Sequence, residues 1–140
     1  MVERVDYQAL MRAAPDLYLI LSPDLKILDA SDAYLKATMV KREAVIGRYV
    51  FDVFPNNPHD PGSADTQGNF LRSAQIILKY KTSHLMPIQR YDMRRPDGEF
   101  EARYWSPLTF PIFDVANNVK YLLHRAEDVT ELDKLLMLRT

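Results

Sequence analysis

Cysteine is absent from this 140-residue chain. Disulfides, thiolate metal ligands, thiol nucleophiles and cysteinyl cofactor adducts are therefore excluded together, and the composition suits a reducing compartment. Glycine is nearly as scarce: the four residues are read as turns or helix ends, which leaves nothing from which to build a phosphate-cradling loop. The G-x-S-x-G and H-E-x-x-H signatures are missing too, so catalysis has no motif to rest on. Neither sign of charge dominates. The 18 Lys and Arg against 19 Asp and Glu leave a formal net charge of −1, and no electrostatic pull toward nucleic acid or an anionic membrane follows. No apolar run approaches the ~18 residues required to cross a bilayer, and the start MVERVDYQAL is charged where a signal peptide is apolar. The expected location is cytoplasmic. What remains is ordinary composition, 47% hydrophobic and 26% charged, in a length that suits one domain with one core.

Residues 2–14 place Val2, Val5, Ala9, Leu10 and Ala13 near one helical face before Pro15, which predicts a short amphipathic helix on the core surface. Two apolar runs, Leu17–Leu21 and Lys26–Ala30, flank Ser22-Pro23-Asp24 and predict a β-hairpin. Ser31 or Asp32 caps the next helix, and Gly47 ends the one after it. The piece YVFDVF stops at Pro55, and prolines and glycines through Gly68 mark one long loop. Asn69 is read as the N-cap of FLRSAQIILKYK, whose Phe70, Ala74, Ile77, Leu78 and Lys81 share a side. Beyond it the period drops to two: MPIQRYDMRR, a Pro96-Asp97-Gly98 turn, FEARYWSPLTFPIF, an Asn117-Asn118 turn, and VKYLLHRA. These are three antiparallel strands, the middle one expected to bulge or bend at Pro107 and Pro111. The fold class is α+β, with one five-stranded antiparallel sheet and the helices gathered on one face.

That order, with APDLYLILSPDLKILDAS, DAYLKATMVKREAVIG, RRPDGEFEARYWSP and RAEDVTELDKL, resembles a PAS domain over roughly residues 14–131. PAS domains are small sensor modules of bacterial signalling proteins. The last segment is similar to the family's closing Asp-[Ile/Val]-Thr signature, here Asp128, Val129 and Thr130, and to the helix that leaves it. The division expected is a flanking helix over 1–14, the PAS domain over 15–131 and the start of a signalling helix over 132–140. The resemblance extends to PAS modules of sensor histidine kinases, in which the exit helix continues toward the kinase. It implies a regulatory input module of a two-component phosphorelay, with kinase activity outside this sequence and none within it. The residues agree locally: an Asp or Thr caps ELDKLLMLR, and Glu131 sits at the positive end of the helix dipole. Val129, Leu132 and Leu136, widened by Leu135 and Leu138, suit pairing with an identical helix, the alternative being a stripe folded back on the sheet.

The resemblance also chooses a face, which alternation alone does not. It turns Leu122, His124 and Ala126 inward with Tyr91, Met93, Arg103 and Trp105, and brings Glu101 inward beside Arg103. A pocket of Tyr91, Arg103, Trp105 and His124 would bind a carboxylate or other anion through charge-assisted hydrogen bonds. Against it stands a filled core in which Arg103 pairs with a carboxylate and His124 bonds backbone. Flavin photochemistry of the cysteinyl type is excluded for want of cysteine. Haem is disfavoured, because the long helix has no histidine and His59 and His84 are expected in solvent. No metal-ligand spacing is present. Arg90, Asp92 and Arg94 share a face, as do Glu99 and Glu101, and both sets are read as surface, Glu101 excepted where the family's register turns it inward. Phe100, Tyr104, Tyr121 and Leu123 face outward, to be covered by the N-terminal helix or a second protomer. Two other readings are kept: a cone-fold cyclase or isomerase using Arg103, His124 and a carboxylate for proton transfer, and a ligand-free PAS dimerisation module.

Overall fold

The computed structural model describes residues 2–138. A short helix, α1 (Tyr7–Ala13), precedes the hairpin β1 (Leu17–Leu21) and β2 (Ile27–Ala30). Helices α2 (Asp32–Thr38), α3 (Arg42–Val45), α4 (Val50–Val53) and α5 (Gly62–Tyr80) follow. The chain then returns through β3 (His84–Leu85), β4 (Gln89–Arg90), β5 (Met93–Arg94), β6 (Phe100–Glu101), β7 (Tyr104–Phe113) and β8 (Val119–Asp128), and α6 (Thr130–Leu138) leaves. The main sheet runs β2-β1-β8-β7-β3, with β4 also on β7. Since β3 and β4 occupy the same edge of β7, the sheet is five strands wide with a broken outer strand. Pro87 sits in that break, where a missing donor ends pairing. The β5–β6 hairpin pairs only with itself.

Alternation carries Leu19, Leu21, Ile27 and Leu122 to one face, where they meet Leu35, Val45, Val50 and Ile77 from the helices. The prolines of β7 do not bulge it. Trp105–Ile112 pairs with β8 without interruption, and the register shifts only between Ile112 and Phe113. The carbonyl of Pro107 accepts from Met86 N on the β3/β4 side. Pro111, four residues on, points the same way, so both missing donors fall on the broken edge.

Two helix boundaries differ from expectation. Helix α5 starts at Gly62 rather than after Asn69, because the Asp60 carboxylate accepts from Gly62 N at 3.3 Å and Ser63 Oγ at 3.3 Å. Asn69 therefore lies within the helix and donates instead to Gln89 Oε1, Gly68 is helical, and the loop shrinks to 54–61. Lys81 is not on the buried face; it is exposed and ends the helix at φ +54°. Helix α1 starts at Tyr7 because Asp6 accepts from Ala9 N, which leaves Val2 and Val5 exposed ahead of it. It packs on α2, not over β7 and β8. No described helix is long and apolar enough to cross a membrane.

Ser31 ties the first hairpin to α2. Its Oγ accepts from Tyr34 N at 3.2 Å as the helix cap and from Tyr18 N at 3.0 Å, and donates to Asp16 O at 2.8 Å. The residue is fully buried. Ser31→Ala strands two backbone amides and is expected to lower unfolding free energy by about 2 kcal/mol, read from urea midpoints.

Candidate functional site

Between the inner sheet face and helices α4 and α5 lies a cavity of about 80 Å³. Leu19, Val50, Phe51, Phe70 and Met86 give it an apolar lining, and Tyr91, Trp105 and His124 add polar edges. Tyr91 donates its hydroxyl to Phe54 O and accepts from Gln67 Nε2 at 2.8 Å, so the loop after α4 and the α5 helix fix its ring. Trp105 Nε1 donates to Tyr91 O at 2.8 Å. The Nδ1 atom of His124 pairs with Thr109 Oγ1 at 2.9 Å, a side-chain rather than a backbone partner, and its ring stands edge-on to Phe70 at 5.1 Å. Burial pushes the imidazole down to about 4, so it is neutral near pH 7.

Arg103 does not join them. Its Nη1 donates to Asp128 Oδ2 at 2.8 Å and its Nη2 to Glu101, while Nε has no partner among the described residues. A guanidinium turned into an apolar cavity would forfeit those charge-assisted bonds and its hydration. The four-residue anion pocket is thus replaced by an uncharged cavity and a separate ionic cluster at its margin. The proton-transfer arrangement that the enzyme alternative needs is not assembled either, since Arg103 and His124 serve different places. The pairing of Arg103 with an internal carboxylate is as the filled-core reading has it.

Sequence reasoning missed Asp92. Read as surface, it is 3% exposed, held by Arg90 Nε at 3.0 Å and Nη2 at 3.1 Å and by Asn57 Nδ2 at 2.9 Å. Burial opposes its ionisation, yet the bonds from Arg90 and Asn57 hold the carboxyl below its usual range. Alternation from Tyr91 and Met93 turns it outward, and the loop carrying Asn57 buries it there; no local signal announces a cover 35 residues away. His59 is exposed, whereas His84 is half-buried with Nδ1 2.7 Å from Ser73 Oγ.

At the far end of β8, Asp128 Oδ1 accepts from Thr130 N at 3.0 Å and from the Thr130 hydroxyl. Thr130 Oγ1 in turn accepts from Tyr104 N at 3.0 Å, and Val129 N donates to Tyr104 O at 2.9 Å. The junction thereby fastens the first turn of α6 to β7. Val129 is buried there, so it is not part of a free stripe. Leu132, Leu135 and Leu136 are 51%, 60% and 49% exposed, so the helix is not folded back onto the sheet. The side chain of Leu138, with Arg139 and Thr140, lies outside the described residues. Of the four outward residues, Phe100 belongs to the separate β5–β6 hairpin, and Tyr104, Tyr121 and Leu123 are half-buried on the main sheet.

A five-place antiparallel sheet in the order 2-1-5-4-3, with helices over one face and a capped exit helix, defines the class. The family model described as PAS fold matches residues 11–134, and the chain belongs to the PAS family. Among solved structures it resembles the PAS domain of a protein from Colwellia psychrerythraea, at 14% identity and TM-score 0.67, over 89% of this chain and 95% of that one. A sensory box sensor histidine kinase from Vibrio cholerae aligns at 15% identity and TM-score 0.59, over 89% and 88% of the two chains. VqmA bound to DPO aligns at 17% and 0.63 over 89% of this chain but 57% of that one. No curated protein matches the chain.

Proposed function

We propose that this chain is a sensory input module of a two-component sensor histidine kinase, placed in the cytoplasm and without catalysis of its own. The kinase or another effector would follow α6. One observation carries the reading: β8 walls the cavity with His124 and Ala126 and then ends in the Asp128–Thr130 junction. A small molecule settling beside His124 biases the strand, and four residues later Asp128 passes the bias to α6. The fold shared with a sensory box histidine kinase and with ligand-bound VqmA supports the reading. The portion of the ligand inside the cavity is uncharged, since among the described residues no charged side chain lines it and His124 is neutral. Neither cysteinyl flavin nor haem is part of the proposal: the chain has no cysteine, and His59 and His84 stand outside the cavity.

The outer sheet face supports a homodimer. Cross-strand pairing aligns Ile20, Leu123 and Phe110 in one row and Tyr121 with Ile112 in the next. These rows, with the leucines of α6, favour a second reading, a ligand-free dimerisation module. Native mass spectrometry of protein purified from its source separates the two. A dimer carrying additional small-molecule mass is expected; a bare dimer favours docking alone, and a bare monomer overturns both.

A further inference from the structure

A second, larger space adjoins the cavity and is unaccounted for. Bounded by the end of α2, the α4 helix and the β5–β6 hairpin, this cleft holds about 400 Å³. Phe54 and Met93 line both spaces, so their side chains form the partition between them. Phe54 leads out of α4, and Met93 belongs to a hairpin that pairs with no strand of the main sheet. A two-stranded hairpin lacks stability of its own, so this wall is held by packing and by the bonds around Tyr91 and Asp92. The chemistry of the two spaces differs. Among the described residues the inner one has no charged lining, whereas the cleft is lined by Asp92, Arg94 and Arg95. The charge of Asp92 is already met by Arg90, and Arg95 has Asp97 within 3.4 Å. Arg94 is exposed and has no ion pair among the described residues.

We infer that cavity and cleft are one ligand site divided by Met93 and Phe54, and that its ligand is an elongated amphipathic monocarboxylate. The apolar body lies beside Trp105, and the carboxylate remains in the cleft at Arg94. Volume supports the union, because about 80 Å³ encloses only a few heavy atoms while small-molecule sites commonly occupy several hundred. Charge supports the orientation: an anion in the inner chamber would be desolvated without a partner, and in the cleft it meets a free guanidinium. Displacement of Met93 by the ligand also moves the strand beside Asp92, whose Oδ1 accepts from Arg103 N at 3.4 Å. Arg103 bonds Asp128, so occupancy is coupled to the junction. This rests on the reading of the cavity as a sensing site.

The chain has a single tryptophan, Trp105, on the inner wall, so its fluorescence reports inner occupancy. Octanoate and 1-octanol are the probes, titrated into the whole chain. Octanoate should change the emission saturably and bind about tenfold more tightly than 1-octanol, and Arg94→Gln should remove that advantage without altering 1-octanol binding. Arg94 is on the surface, so this variant folds; Met93→Ala, which thins the partition, should tighten octanoate severalfold. Equal binding of both probes, indifferent to Arg94→Gln, overturns the two-chamber site and leaves the inner cavity as the sensing site. A silent Trp105 with both probes overturns the inference. In that case, small-molecule mass on the source protein keeps the sensing reading and its absence sinks that reading too.

Discussion

Acidification from pH 7 to pH 5 is expected to lower the unfolding free energy by about 2 kcal/mol through His124 alone. The imidazole is buried among Phe70, Thr109 and the inner sheet face, and burial depresses it from the ordinary 6.5 to about 4. Between those values the unfolded chain binds a proton that the folded chain refuses. Stability is therefore full above pH 6.5 and falls as the pH drops toward 4. Asp92 acts in a separate, lower window. Its folded carboxyl is depressed below 3.8, so its contribution is present above that value and is lost only as the pH falls through the folded pKa. His124→Gln keeps a hydrogen-bonding side chain beside Thr109 and removes the titration. Urea midpoints at the two pH values should differ for the wild type and converge for His124→Gln, apart from the exposed groups common to both. An equal loss in the variant would assign the effect elsewhere.

The histidine also shows how far the sequence could be read. Its inward orientation follows once the face is chosen, because β8 pairs in unshifted register from Tyr121 to Asp128 and parity holds along that stretch. Trp105 and Tyr91 reach the same cavity by the same logic. Arg103 escapes it because it falls between β6 and β7, where parity no longer fixes a direction and a long side chain follows its charges to Glu101 and Asp128. Ser31 was legible as a cap because a cap is a local event three residues long. The start of α5 was not, since Asp60 supplies it from within a proline-rich stretch that reads as loop. Asp92 and the partition of Phe54 with Met93 are products of chain crossing. Their partners come from segments more than thirty residues apart, and no local pattern encodes them.

On the sensory role proposed above, Asp128→Ala is expected to abolish ligand-dependent output while the domain remains folded. The carboxylate serves two partners at once: Oδ2 receives Arg103, and Oδ1 receives the amide and hydroxyl of Thr130. Its removal frees Arg103 from the junction and leaves the first turn of α6 held only by Val129 N and Thr130 Oγ1 on Tyr104. The ion pair is partly solvated, with side chains 29% and 25% exposed, so its screened contribution is small and the whole change should cost about 1 kcal/mol. The local effect is larger. The Asp133 amide, which donates to Val129 O at 2.8 Å, should exchange with solvent severalfold faster, and α6 should lose its fixed angle to β7. Asp128→Asn separates the two duties, because an amide oxygen still accepts from Thr130 while the charge facing Arg103 is gone. Near-normal exchange in α6 with lost output would place the signal in the Arg103 pair; restored output would place it in the cap. Normal output from Asp128→Ala would remove the junction from the mechanism, and α6 would then have to receive its signal across the outer sheet face.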